Sequence, residues 1–319
     1  MEQYAYKKID FGNLSDVVFL INAVGNKRLD IDYLHKKYDT PWAEGQYFGW
    51  LAYEKSGGRA VAAAVALPLS GVLPDGRGIS MMQMIDTQTL PAHRGRGLMT
   101  RLMQLLLEDL KSRGAQLFFA LANQNSVHVV VREQLGFTVT LTMECYLLNV
   151  ATFPLEALCR KFRIPGLFRW WAGKAIAPFL TGGGAVLENS VLAEGHGGVL
   201  HDQSFFAYKS FSFNRLCCFS GIGCWLKFES GLLVGDVLLP EDCPDSQFDE
   251  WLSTLQKIAR RMGLRKIIFQ TFQHSRLSIK LSARYPAKPS WFVCCRAGDD
   301  ALQPYLEKLR FVYGDFDSF

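Results

Sequence analysis

The chain has 319 residues, room for two domains of about 150 residues each, and its 49% hydrophobic and 20% charged residues suit a globular protein and exclude a disordered one. A formal net charge of +5 is small for this length, and Lys and Arg are scattered among acids, so no nucleic-acid partner is expected. Met1 to Lys8 has no apolar run behind a basic start, and no stretch approaches the ~18 apolar residues of a membrane span, so a cytoplasmic protein is expected.

In chain order, Tyr4 to Asp10 is predicted as a strand, Leu14 to Asn26 as a helix with Val17, Val18, Ile21 and Val24 at helical spacing, and Asp30 to Tyr38 as a second short helix. Gln46 to Tyr53 and Ala60 to Pro68 read as strands joined by the turn residues Lys55 to Gly58, and Ile79 to Leu90 as a fourth strand. Helical spacing returns from Leu98 to Arg113, with Gly114 as a stop. A buried strand from Gln116 to Ala122, a helix from Ser126 to Leu135 ended by Gly136, and a strand from Phe137 to Val150 complete the first half.

From Ala151 to about Pro178, basic residues interleave with Phe162, Leu167, Phe168, Trp170, Trp171 and Phe179. Residues 154–180 thus have a physical route to an anionic membrane surface. The expected use is plainer: a linker helix pair whose aromatics pack between the halves. Thr181 to Gly184 and Glu194 to Gly198 are read as flexible connections. In the second half, Cys224 to Phe228 and Leu232 to Leu239 are predicted strands, Phe248 to Met262 a helix, Lys266 to Phe272 a strand, Ser275 to Ala283 a helix and Ser290 to Arg296 a strand. This repeats the tail of the first half's order.

Eight cysteines include no C-x-x-C pair, and Cys217-Cys218 and Cys294-Cys295 lie inside apolar runs, so buried reduced thiols are expected rather than disulfides or a metal site. His274 and the other histidines show no metal-ligand spacing either.

The strongest chemical signal is Thr89-Leu90-Pro91-Ala92-His93-Arg94-Gly95-Arg96-Gly97-Leu98, where a strand end runs through glycines into a helix start. Free N–H groups at a helix N-terminus, and glycines without a Cβ, let an oxyanion approach the main chain. Arg94 and Arg96 add charge-assisted donors. The matching place in the second half, Pro240 to Asp245, is acidic and would repel a diphosphate.

Here the sequence resembles the GNAT superfamily, the acyl-CoA N-acyltransferases, whose signature is Arg or Gln, two residues, Gly, one residue, then Gly or Ala. Arg94-Gly95-Arg96-Gly97-Leu98-Met99 matches it up to the last place, where Met99 replaces a small residue. Asn125 and the closing Gly136-Phe137 match the family's next motif. The resemblance implies an α/β fold with a mixed sheet. It implies a catalytic GNAT domain over 1–150, a linker over 151–198, and a degenerate GNAT-like domain over 199–319 that shapes the acceptor site.

It further implies acetyl-CoA as cofactor, with Arg94, Gly95, Arg96, Gly97, Leu98, Met99 and Thr100 at the diphosphate and Asn125 beside the cofactor. The pantetheine arm would enter between Ile79 to Leu90 and Gln116 to Ala122, and an N–H in the Gln88-Thr89 neighbourhood would meet the thioester oxygen. The acceptor implied is a small-molecule primary amine. Asp86-Thr87-Gln88-Thr89-Leu90-Pro91 and the long second half look like two-domain GNAT proteins encoded among bacterial surface-polysaccharide genes, which would make that amine an amino sugar or sugar nucleotide.

Among acids and bases, Asp86 is the first candidate for the base and Glu144 the second. Many members carry a tyrosine acid at the position of Arg132, so Tyr146 or solvent would protonate the leaving thiolate here. Asp315, Asp317 and the Phe319 carboxylate read as a solvated tail, with attraction of a cationic amine as their other use. The competing functional class is an acyl-CoA-binding module without catalysis, whose second domain recruits a partner. Aminoacyl transfer from tRNA fits poorly with the low net charge.

Overall fold

The computed structural model describes residues 3–25, 28–43, 46–180 and 186–319. Its first half holds β1 (Tyr4–Lys8), α1 (Leu14–Gly25), α2 (Ile31–Tyr38), β2 (Phe48–Glu54), β3 (Ala60–Val72), β4 (Gly78–Thr89), α3 (Leu98–Ser112), β5 (Leu117–Ala122), α4 (Val127–Val130) and β6 (Thr138–Asn149). Then come α5 (Leu155–Lys161), α6 (Pro165–Ile176), α7 (Ser190–Ala193), β7 (Gly198–Val199), α8 (Gln203–Lys209), β8 (Asn214–Phe219), β9 (Ile222–Phe228), β10 (Leu232–Leu238), α9 (Asp245–Met262), β11 (Lys266–Phe272), α10 (Arg276–Ser282) and β12 (Lys288–Ala297). Asn26 and Thr181 to Gly184, part of two sequence expectations, lie outside the described residues.

Two compact units divide the chain: Met1–Leu141 with Trp291–Leu309, and Thr142–Ser290 with Arg310–Phe319. This differs from the expected cuts of 1–150, 151–198 and 199–319. The physical reason is strand pairing. β12 lies antiparallel to β5 from Phe292 opposite Ala122 to Ala297 opposite Leu117, so the first unit's sheet is completed from the far end of the sequence. Conversely, Met143 to Asn149 of β6 pair with Phe272 to Lys266 of β11 in the second unit. Nothing in the residues of either strand names its partner, which is why sequence alone left the exchange unseen.

In the first unit the strand order is β1-β2-β3-β4-β5-β12. β3 is built from Ala and Val with nearly every position buried, as a central strand covered on both faces requires. It runs past the expected end at Pro68. Pairing with β2 stops at Ala66, so the imide nitrogen of Pro68 leaves no ladder bond unmade on that side. α3 turns Leu98, Leu102, Met103, Leu106, Leu107 and Leu110 into the core, each worth about 2 kcal/mol of burial.

The helix expected from Ser126 to Leu135 is broken. α4 spans one turn, Arg132 is extended (φ −59°, ψ 137°), and a 3-10 turn covers Glu133–Leu135. Val127, Val129, Val130 and Val131 are β-branched and weaken a helix. Arg296 on β12 donates to the Leu135 carbonyl at 2.9 Å and holds the broken end.

The second unit has strand order β6-β11-β10-β9-β8. α9 buries Phe248, Trp251, Leu255, Ile258 and Met262 and stops at Gly263, whose φ of 72° suits glycine. α5 and α6 form a helix pair, but its Phe162, Leu167, Trp170 and Trp171 are exposed instead of packed between the halves as expected. Glu194 to Gly198, expected to be flexible, is instead tied down: Glu194 accepts from the Arg276 N–H, and the Gly197 carbonyl accepts from the Arg310 N–H at 2.8 Å. α8, unforeseen, is capped by Asp202, which accepts from the Phe205 N–H at 2.7 Å.

The last residues are not a solvated tail. Asp315 and Phe319 are fully buried. Asp315 lies 2.7 Å from His201 Nε2 and accepts from the Val312 N–H, while Lys209 and Lys227 donate to the carbonyls of Phe316 and Ser318. β10 and β11 pair in parallel only from Leu232 to Val234, after which β10 shifts register against β9. At that point a Cβ on Gly235 would meet the Phe319 ring at 2.5 Å. The aromatic ring occupies the place that glycine leaves.

Candidate active site

The first unit has the same parting of parallel strands, and there it stays open. β4 pairs with β5 only from Met81 to Met84 opposite Leu117 to Ala120, although the strands continue to Thr89 and Ala122. Beyond Met84 the β5-facing edge of β4 has no strand partner among the described residues. A bulge accompanies the parting: Val65 faces Ile85 and Ala63 faces Gln88, so Asp86 and Thr87 stand against Ala64 alone. Asp86 takes φ 41° there, a left-handed value that Asp tolerates better than most residues.

From the strand end, a 3-10 turn over Pro91–His93 leads through Gly95 and Gly97 into α3. Both glycines have positive φ, 75° and 74°, and a Cβ on either would meet no heavy atom within 4 Å. Glycine is needed here for the backbone angle, and the space above it is open. The first intrahelical bond is Arg101 N–H to Gly97 carbonyl, and no side chain caps the helix. The N–H groups of Leu98, Met99 and Thr100 are therefore the helix's orphan donors.

One cavity of ≈ 580 Å³ joins these features. It is lined by Thr87, Gln88 and Thr89 from the strand edge, by Arg94, Gly95, Gly97, Leu98, Met99 and Thr100 from the loop and helix start, and by Asn123, Asn125, Ser126 and Arg132 from the segment after β5. None of its lining residues is acidic. Arg94 is held by its Nε donating to the Thr89 carbonyl at 3.2 Å, and Arg132 donates to Thr100 Oγ1 at 3.0 Å. Helix dipole, free amides and two guanidinium groups converge on one wall, which fits a diphosphate.

Of the cofactor residues expected from sequence, the structure gathers all but one. Arg96 is absent from the lining. Its guanidinium donates to Tyr4 Oη at 2.9 Å, Gln3 Oε1 at 3.3 Å and the Ala92 carbonyl at 3.2 Å, so it braces the loop against β1. His93, which does line the cavity, meets the same Tyr4 hydroxyl at 3.0 Å. Sequence reasoning passed over Thr87 and Asn123. The latter accepts from the Asn125 and Ser126 N–H groups at 2.9 and 3.1 Å, and an Asn four residues before a short helix was its available signal.

None of the three expected acid-base residues lines the cavity. Asp86 Oδ2 accepts from Lys37 Nζ at 2.6 Å and from Tyr38 Oη at 2.8 Å, and both partners are buried. Glu144 and Tyr146 belong to the second unit, where the Tyr146 hydroxyl donates to Glu144 at 2.7 Å. Tyr146 is wholly buried, and desolvation, with the neighbouring Glu144, pushes its pKa well above the ordinary phenol value. Alternation along β6 buries it in the second unit's core, so it has the place of a packing residue.

Residues 9–139 match the family described as acetyltransferase (GNAT) domain. No curated protein matches the sequence. Among solved structures, a probable N-acyltransferase from Enterococcus faecalis V583 is similar over 96% of this chain and 75% of its own, with 12% identity and a TM-score of 0.60. A GCN5-related N-acetyltransferase from Kribbella flavida shares 14% identity over 93% of this chain and 72% of its own, at a TM-score of 0.53. Saccharomyces cerevisiae N-myristoyltransferase with bound myristoyl-CoA shares 9% over 92% and 83%, at 0.59. Such identities speak for the fold. Together they show an α/β mixed-sheet GNAT fold, with residues 9–139 matching the GNAT acetyltransferase domain.

Proposed function

We propose that the chain is an N-acetyltransferase that moves an acetyl group from acetyl-CoA to the primary amine of a small molecule. The observation that carries this reading is an acid-free cavity joining the unpaired edge of β4 to the bare N-terminus of α3. The Leu98, Met99 and Thr100 amides and Arg94 would hold the diphosphate, with Arg132 beside them. The free edge at Thr87 to Thr89 would take the pantetheine arm as an added strand. Acetyl-CoA, when bound, supplies the activated thioester.

In the reaction the amine nitrogen bonds to the carbonyl carbon, the C–S bond breaks and the thiol leaves. N–H donors at Gln88-Thr89 would stabilise the oxyanion, a contribution of roughly 3 kcal/mol. Solvent takes the amine's proton and returns one to the thiolate, because Asp86, Glu144 and Tyr146 are engaged elsewhere. Asp86 then acts as a positioning residue that fixes the bulge. An amino sugar or sugar nucleotide is the acceptor class we favour, on the likeness to two-domain proteins of polysaccharide gene clusters.

That Asp86, Glu144 and Tyr146 all lie off the cavity also favours a second reading, an acyl-CoA-binding module without turnover. Titration calorimetry with CoA, followed by a free-thiol assay with acetyl-CoA and a panel of amines including amino sugars, separates the two. The enzyme reading requires amine-dependent thiol release. CoA binding without it leaves the module.

A further inference from the structure

Large apolar side chains that remain exposed concentrate on one stretch of the second unit: Phe153, Phe162, Ile164, Leu167, Trp170 and Trp171. Phe162 is 66% exposed, Leu167 50% and Trp170 56%. The cause lies in α6, which carries two apolar stripes. Phe168, Ala172, Ala175 and Ile176 face inward. Leu167, Trp170, Trp171 and Lys174 recur at i, i+3, i+4 and i+7 on the outer side, and a helix that packs against one core needs only the first stripe.

The turn between α5 and α6 repeats the pattern. Arg163 adopts φ 60°, a left-handed angle unusual for a residue with a Cβ, and Phe162 and Ile164 on either side of it are exposed. Residues 151–180 contain five cations, Arg160, Lys161, Arg163, Arg169 and Lys174, against one acid, Glu156, which already lies 3.8 Å from Arg160. Lys174 Nζ sits 4.2 Å from the Trp170 ring centroid, so cation and indole share one level of the surface.

We propose that α5, α6 and the turn between them form a docking surface for an anionic lipid bilayer, with the rings and aliphatic side chains entering the head-group boundary and the cations meeting lipid phosphates. Mixed Trp, Phe and Leu bordered by Lys and Arg is the chemistry of a helix lying in that plane. No helix among the described residues is long and apolar enough to cross a membrane, so the contact is with its surface. A second copy of the chain is the poorer occupant, since a two-fold contact would set these cations against their own copies.

The test is co-sedimentation of the full chain with vesicles of equimolar phosphatidylglycerol and phosphatidylcholine, and with phosphatidylcholine alone. Binding to the anionic vesicles that weakens with added salt is expected, and little binding to the neutral ones. Leu167→Glu with Trp170→Glu, and separately Arg163→Glu with Arg169→Glu, should each weaken partitioning by more than about tenfold. These side chains are exposed, so melting curves should be unchanged. As a readout independent of any variant, bromine-labelled acyl chains should quench tryptophan fluorescence of the unaltered protein. Absence of anionic-vesicle binding, absence of quenching, or a dimer that Leu167→Glu dissolves while lipid binding persists would each overturn the proposal.

Discussion

Lys37 Nζ stands 2.6 Å from Asp86 Oδ2, and this ion pair fastens α2 to the bulge of β4. Both side chains are nearly dry, so removing one partner leaves a charge without compensation, a loss of about 3–5 kcal/mol. Asp86→Ala, which also puts Ala at a φ of 41°, is expected to lower the melting temperature and the affinity for CoA together. Lys37→Met should do nearly the same. If Asp86 were instead the base, Asp86→Asn would cut kcat while leaving CoA affinity and the effect of Lys37→Met apart from it.

Gly97 supplies a left-handed angle at the mouth of α3. Gly97→Val places a β-branched residue at φ 74° and projects its side chain into open space above the amides. CoA affinity should fall by more than about tenfold, equivalent to ~1.4 kcal/mol, as read by calorimetry.

Arg94 and Arg96 are two residues apart and have different partners. Arg94→Ala should weaken CoA binding by roughly 1.5–3 kcal/mol, the value of a charge-assisted hydrogen bond, and flatten its dependence on salt. Arg96→Ala should leave affinity within a few-fold and instead lower thermal stability, because it frees Tyr4 and the Ala92 carbonyl. Equal losses of affinity in the two variants would contradict this assignment.

All eight cysteines are thiols, and Cys218 is the exposed one. A thiol reagent at neutral pH should label Cys218 first. Burial pushes the Cys294 thiol up to about 11 and Cys295 up to about 12, from an ordinary 9.0. The unfolded chain therefore releases these protons at lower pH than the folded one, and stability, intact below 9.0, should decline as pH rises towards about 12. Urea midpoints across that window check the sign.

Much of the first unit could be read from residue order, because strand and helix periods were clear and Gly95, Gly97 and Gly114 punctuated them as turns do. The loop was equally legible, since a helix start without side-chain caps has few uses. What escaped was set by distant partners. Nothing local in Trp291 to Ala297 says that it pairs with β5, and nothing near Arg96 says that Tyr4 will claim it. Tyr146 looked available for chemistry because burial on one side of β6 depends on which sheet the strand joins.

Gly235 and the ring of Phe319 make a last point about number. Among the described residues, parallel strands part both at β4 and β5 and at β10 and β11, and at the second parting the ring of Phe319 fills the space beside Gly235. Saturation with CoA should accordingly occur at one equivalent per polypeptide, and two equivalents would mean that the stopper withdraws.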